Sequence, residues 1–414
     1  MAGLSAAWML SRKGFRVTVF EKGSRPGLSA HSRDFASCFP GVEHAIHGDV
    51  PSRMFNDSLW PTLTQLYRDA GIETEAVDNG QTFYSADDVL LKIKLPYSTS
   101  ILKNVLNPVA RQLVGSLATF QKYGIAALKD GHAEIQTFGE YLDRQFNDTQ
   151  FEQFLNCFLF PALTSTVFTC AKSDLLNYPC PIVLQAMNRI TDSVSPLMRT
   201  ANGSESAARS LLKDVEAVHF DSAVQQVTTR GDAVAVHVDG QPIMFDHCIV
   251  ATQANHASTI VANELSEESE LLKQFRYVDV PIQVHTDSSI LPDAKSDWTT
   301  FNFDTANQTS ATCTVWMNRF HSTWPESNDV FHSIFPGKTI DAEKVLFATT
   351  MQRPVVDAMS QTLLSELDAI HSHERRIWFA GSYAAPGVPL LESAVQSSVG
   401  MVEKITAAML WKSA

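Results

Sequence analysis

The first 21 residues read, in order, as helix, glycine, strand and acid, and few folds begin that way. Residues 4–13 are strong helix formers with apolar positions at Leu4, Ala7, Trp8 and Leu10, and Gly14 follows where a helix would end. Phe15-Arg16-Val17-Thr18-Val19-Phe20 then alternates as a strand and stops at Glu21. This is the second half of a dinucleotide-binding βαβ unit, in which a first strand runs into G-x-G-x-x-G and the helix begins at the third glycine. Gly3 occupies that third position, and Glu21 stands 18 residues beyond it, where the acid of such a unit accepts hydrogen bonds from ribose hydroxyls. The unit's first strand and first two glycines are not among the 414 residues. An ordinary amphipathic helix followed by a strand fits the same residues, so the start alone leaves the choice open.

The far end narrows it. Arg376-Ile377-Trp378-Phe379-Ala380-Gly381-Ser382-Tyr383 reads as a short buried strand that stops at a glycine. After a loop over residues 384–389 comes a helix over 391–399 with small residues in its first turn, Ser393 and Ala394 among them. A strand ending in Ala-Gly before such a helix lets backbone N–H groups approach a negatively charged group.

Taken together, the two ends resemble those of the flavoprotein amine oxidase and phytoene desaturase superfamily. Thr137-Phe138-Gly139-Glu140-Tyr141-Leu142, Phe160-Pro161-Ala162, Arg199-Thr200-Ala201-Asn202-Gly203-Ser204, Phe275-Arg276-Tyr277, the run 285–292 and Trp316-Met317-Asn318-Arg319 follow in that order between them. This set is similar to a subfamily of NAD/FAD-binding, amine-oxidase-like oxidoreductases, and the likeness covers almost the whole chain. It implies an N-terminally truncated member whose ends enclose FAD. Gly3 would face the pyrophosphate and Glu21 the adenosine ribose. The superfamily's R-x-G-G stands as Arg25-Pro26-Gly27-Leu28, its second glycine lost, with Arg25 still a charge-assisted donor to the pyrophosphate. Residues 49–54 would run as a strand beneath the flavin and bring Arg53 to the ring or substrate, while the backbone of Val224 would meet adenine. Gly381 and Ser382 fall where many relatives place an acid on the ribityl chain, so that contact is weakened or rebuilt. Leu391 and Ala394 begin the helix whose amides would stabilise negative charge on the flavin. The missing strand would leave FAD weakly bound by these 414 residues.

The fold class that follows is α/β: a Rossmann-like FAD/NAD(P)-binding domain, its first strand absent, with an inserted α+β substrate domain. Its pieces would be 1–55, 197–265 and 360–414, with 56–196 and 266–359 forming the substrate domain. In the first of these, Val218-His219-Phe220 and the runs 224–229, 233–238 and 247–252 read as strands, with hairpin turns at Gly231-Asp232 and Asp239-Gly240. Residues 56–196 read as amphipathic helices over 60–70, 101–128 and 151–159. Alternating strands are expected at 282–286, 299–303, 312–317 and 330–335. At 44% hydrophobic and 19% charged, the chain has material for such a core and is neither disordered nor a disulfide miniprotein.

Net charge of −13, from 32 basic and 45 acidic residues, excludes a nucleic-acid footprint. The six cysteines are scattered without a CxxC pair, which reads as reduced thiols in a cytoplasmic protein. No apolar run is long enough to span a membrane. The apolar helix at 101–128 offers a hydrophobic tunnel, a peripheral membrane face or plain packing. Trp316 and Asn318, on one face of their strand, are candidates to line a pocket or to pack. His371 and His373 lack the supporting ligands of a metal site, and His44 and His47 read as solvated. No catalytic side chain is assigned, because hydride transfer to a flavin requires none. The expected activity is an FAD-dependent oxidoreductase acting on a small amine or an apolar, lipid-like substrate. A redox-neutral FAD-requiring isomerase and a cofactor-deficient binding protein are the alternatives.

Overall fold

The computed structural model describes residues 1–29, 32–86, 88–94, 107–131, 136–191, 195–261, 265–307, 311–371 and 376–412. The N-terminal pattern folds as it reads: a helix over Ala2–Arg12, Gly14 at φ +84°, and a strand over Thr18–Phe20. That strand pairs in parallel with Ala217–His219, and Cys248–Val250 pairs in parallel with Ile377–Phe379 as a second, separate ladder. The first helix buries Ala2, Ala6 and Leu10 against Trp378 and Ala380 of the last strand and against Ala394, Met401 and Val402 of the C-terminal helix, Leu391–Lys412. The two ends of the chain are thus one packing unit, joined also by the Ser398 hydroxyl donating to the Ala2 carbonyl at 2.8 Å.

The strands Val224–Arg230, Ala233–Val238 and Gln241–Phe245 form an antiparallel meander. Its third strand is absent from the sequence reading because it is exposed, contains Pro242 and shows no apolar alternation. A larger difference lies in residues 56–196, which are not purely helical. Gly80–Ser85 and Asp88–Lys94 form a hairpin that joins a seven-stranded mixed sheet. From edge to edge that sheet runs Val345–Pro354, Tyr277–His285, Phe331–Ile334, Thr312–Trp316, Phe301–Asp304, Gly80–Ser85 and Asp88–Lys94. The first of these strands also escaped the sequence reading.

Register gives this sheet two different faces. One row crosses six strands as Leu91, Phe83, Phe303, Cys313, Ile334 and Ile282, and packs under the helices that supply Leu117, Phe120, Phe154 and Phe158. The adjacent row points the other way and is polar: Thr82, Asn302, Thr314 and Ser333, all fully buried. Its hydroxyls are satisfied in a chain in which His285 Nε2 meets Ser333 Oγ at 2.9 Å and Ser333 Oγ meets Thr314 Oγ1 at 2.8 Å. The helical part of 101–128 is Pro108–Lys129, capped by the Asn107 side chain, and buries its stripe in the same core. Residues 101–106 lie outside the described residues.

The segment 49–54 is an irregular, extended loop rather than a strand, and a buried carboxylate holds it. Asp49 accepts from the Ser204 N–H at 2.9 Å, the Ser204 hydroxyl at 2.7 Å and the Ser32 hydroxyl at 2.6 Å. Ser204 lies in the first turn of the helix Gly203–Leu212. Asp49→Ala leaves these donors unpaired and is expected to cost about 2–4 kcal/mol, since each bond to a buried charge is worth roughly 1.5–3 kcal/mol. A loss below about 1 kcal/mol in chemical denaturation would remove the anchoring role.

Two buried histidines give the fold an acid limit. Burial pushes His285 down from 6.5 to about 4, against the pull of Asp287, and pushes His332 down to about 3, with His285 adding repulsion. The unfolded chain therefore binds more protons below 6.5, so this stability is complete above that pH and is lost on acidification toward the folded values. Each group adds a slope of up to about 1.4 kcal/mol per pH unit. His332 Nε2 has no partner and Nδ1 meets only the Ser52 hydroxyl, at 3.4 Å, which also donates to the Met317 sulfur at 3.2 Å, so His332→Leu costs little hydrogen bonding and is expected to flatten the decline of stability from pH 6.5 to 4.5. Equal slopes in the two proteins would refute this.

Candidate active site

A cavity of about 480 Å³ opens between the sheet's apolar face, the helical layer and the packed chain ends. At one end its walls are Met1 and Ala2, the loop 51–54, Ala251 to Gln253, Gly381 to Tyr383, and Leu391 with Ala394. Elsewhere they are mostly apolar, with Leu117, Phe158, Leu163, Val280, Ile282 and Phe303, and are interrupted by Asn79, Gln81, Thr166 and Thr169.

The structure brings five of the nine residues expected around a cofactor to this cavity: Arg53, Gly381, Ser382, Leu391 and Ala394. The loop that Asp49 anchors carries Arg53, whose Nη2 donates to the Leu28 carbonyl at 3.1 Å. Burial pushes its guanidinium pKa down, and the nearby Asp49 opposes that shift. Gly381 follows the strand Ile377–Phe379, and its N–H donates to the Ser397 hydroxyl at 3.2 Å. A methyl group there would stand 2.5 Å from the Tyr383 ring, so only glycine fits. Leu391 opens a 22-residue helix, whose first-turn amides and dipole favour a negative group beside them.

The other four do not line the cavity. A Cβ on Gly3 would lie 3.1 Å from the Ala251 side chain, so the first helix and the Cys248–Val250 strand meet closely there. Glu21 ends its strand with a carboxylate that accepts from the Gly23 N–H at 2.9 Å. Arg25 donates to the Ser32 carbonyl at 3.2 Å and pairs with Glu205 at 3.5 Å. Val224 begins the first strand of the meander and packs in its core.

Trp316 and Asn318 serve the packing reading. Trp316 meets Trp298 edge-on at 5.6 Å and donates to Asp329, while Asn318 donates to the carbonyls of Pro325 and Asn328. The ring nitrogen of His371 accepts from the Phe379 N–H at 3.0 Å, and no metal-ligand cluster exists among the described residues. His373 lies outside them. No helix among them is long and apolar enough to cross a membrane.

Among the described lining residues the only charged side chains are Arg53 and Arg353; there is no lysine and no carboxylate. Arg353 was missed by sequence reasoning. The usable signal is alternation in Val345–Pro354, where Phe347, Thr349, Met351 and Arg353 share one face. The cavity also accommodates a flavin-type cofactor by its donor set: an arginine, a helix N-terminus and a glycine that keeps the wall open all stand at one end.

Comparison with known proteins agrees with this arrangement. The sequence matches the family described as flavin containing amine oxidoreductase over residues 1–365. No curated protein matches it. Among solved structures, the fatty acid isomerase of P. acnes that produces CLA superposes with a TM-score of 0.69 at 12% identity, covering 98% of this chain and 96% of that one. Cyclohexylamine oxidase from Brevibacterium oxydans IH-35A gives 0.62 at 12% identity, covering 98% and 97%. A putative protoporphyrinogen oxidase from Exiguobacterium sp. 255-15 gives 0.60 at 14% identity, covering 98% and 96%. With its mixed α/β fold, its large mixed sheet and a family match over most of its length, the chain belongs to the flavin-containing amine oxidoreductase family.

Proposed function

We propose that the protein is an FAD-dependent oxidoreductase acting on an apolar, lipid-like substrate. The observation that carries this reading is the character of the cavity: its described walls are mostly apolar, and the polar ones include neither an acid nor a lysine. An ammonium group entering such a wall would lose its hydration and find no carboxylate, whereas an alkyl chain gains from leaving water. When bound, FAD supplies the hydride acceptor for oxidation of a C–H bond.

The chain's own residues bind, orient and exclude water. Arg53 and the amides at the start of the Leu391–Lys412 helix would hold negative charge at the flavin end, with Gly381 and Ser382 along the ribityl chain. Gly3, Glu21, Arg25 and Val224 would serve the adenosine half, outside the cavity. The rows carrying Phe303 and Ile282 set the substrate against the cofactor and keep water from it.

Anaerobic mixing of the FAD-loaded protein with long-chain lipids and with primary amines tests the substrate class. Bleaching of the flavin's visible absorption by a lipid and not by an amine is expected; the reverse would overturn the reading. A product isomeric with its lipid substrate, formed without bleaching, would replace it with a redox-neutral isomerase. Failure to take up FAD would leave a binding protein.

Gly381→Ala forces a methyl group into the Tyr383 ring and is expected to cost about 1–3 kcal/mol of stability together with flavin occupancy. Adding Tyr383→Leu should restore part of both, and a double variant no better than the single one would show that the clash is not the cause.

A further inference from the structure

Arg353 is a cation without a counter-ion among the described residues. It lies near the C-terminal end of Val345–Pro354, opposite Val278, and lines the cavity on the same face as Met351. Its side chain crosses from the sheet to the helical layer, where Nη2 donates to the Val167 carbonyl at 2.6 Å. That is its only hydrogen bond among the described residues, and its buried Nε has no partner. No carboxylate among the described residues pairs with it. Beside it stands the fully buried phenol of Tyr178, whose oxygen faces the Val356 N–H and whose proton is donated to no acceptor among the described residues. Val167 lines the cavity with Arg353, and Tyr178 stands behind that wall.

A guanidinium keeps its charge in proteins, so burying one beside a single neutral acceptor is unfavourable unless an anion completes the site. Its planar fork matches a carboxylate, which can accept two parallel N–H bonds. Burial holds the Tyr178 phenol protonated, as a further donor nearby.

We propose that Arg353 binds the carboxylate head group of an apolar-chain substrate, so that the ligand is an amphiphilic acid anchored at the sheet–helix seam with its alkyl chain along the apolar wall. This rests on the apolar-substrate reading and adds a charge requirement to it. The arginine is a binding and specificity residue, and no bond is made or broken at it.

Titration of the full chain with dodecanoate, dodecanol and dodecylamine at pH 8, followed by intrinsic fluorescence, tests it. The wild-type protein is expected to bind dodecanoate on the order of ten- to a hundred-fold more tightly than dodecanol, and dodecylamine most weakly. Arg353→Met should lose that preference while keeping dodecanol affinity and FAD uptake, and Arg353→Lys should keep part of it. The wild-type comparison of acid with alcohol needs no variant, so a poorly folded variant does not protect the idea. Equal binding of acid and alcohol overturns the anchor alone. So does a preference that survives in Arg353→Met, or loss of FAD uptake in that variant, which would assign the arginine to the cofactor. Failure to bind any dodecyl compound overturns both the anchor and the apolar-substrate reading.

Discussion

The end of the cavity that carries Arg53 depends on one carboxylate. The loop carrying Pro51, Ser52, Arg53 and Met54 has no regular strand or helix to hold it, yet it places a cation in the cavity wall. Asp49 supplies the constraint by accepting from the Ser32 hydroxyl and from both the N–H and hydroxyl of Ser204. A carboxylate with this little exposure is tolerable only when its lone pairs are filled, and three donors from two separate segments fill them. Gly203, at φ +74°, makes the approach possible, because it turns the chain so that the helix N-terminus points at Asp49. The same helix start then carries Glu205, which pairs with Arg25, so two of the expected cofactor residues are positioned through one junction.

The sheet makes a second separation, between where polar groups are spent and where they are withheld. On the face away from the cavity, Thr82, Asn302, Thr314 and Ser333 bond to one another or to nearby carbonyls. On the cavity face, Phe303, Ile334 and Ile282 present no polar group, and the polar residues beside them, Gln81 and Arg353, bring no carboxylate. A one-residue slip in any of these strands would exchange the two faces, so register sets the chemistry of the cavity as much as composition does.

How much of this was legible followed from how local each signal is. The first helix, Gly14 and the last strand with its glycine and helix could be read because caps, alternation and small residues act over a few positions. The hairpin from Gly80 to Lys94 could not, because Gly80–Ser85 is largely buried on both faces and so has no period-two pattern. Alternation placed Trp316 and Asn318 on one face of a strand, but the strand ends at Trp316, which turns toward Trp298 and Asp329 rather than the cavity, and Asn318 stands in the helical turn Met317–Phe320. Arg353 carried only the weak local mark of its strand's alternation. Its significance comes from Val167, 186 positions earlier in the chain.

The wall that meets Arg353 has its own geometric cause. Phe158, Leu159, Ala162, Leu163, Thr166 and Val167 all line the cavity, a repeat of four residues sustained over ten positions. An α-helix turns every 3.6 residues, so a four-residue repeat on it would drift steadily around the axis. Here π-helical turns at Leu155–Leu159 and Leu163–Val167 flank the short α-helical Phe160–Ala162, and their wider turns offset the drift. Pro161, which has no N–H to donate, sits between them, and the hydroxyls of Thr164 and Ser165 bond back to the carbonyls of Phe160 and Pro161. Two columns of side chains therefore keep facing the cavity to its end. There the Val167 carbonyl closes the second π segment and takes the hydrogen bond from Arg353, so the irregular helix both straightens the apolar wall and ends it on a charge.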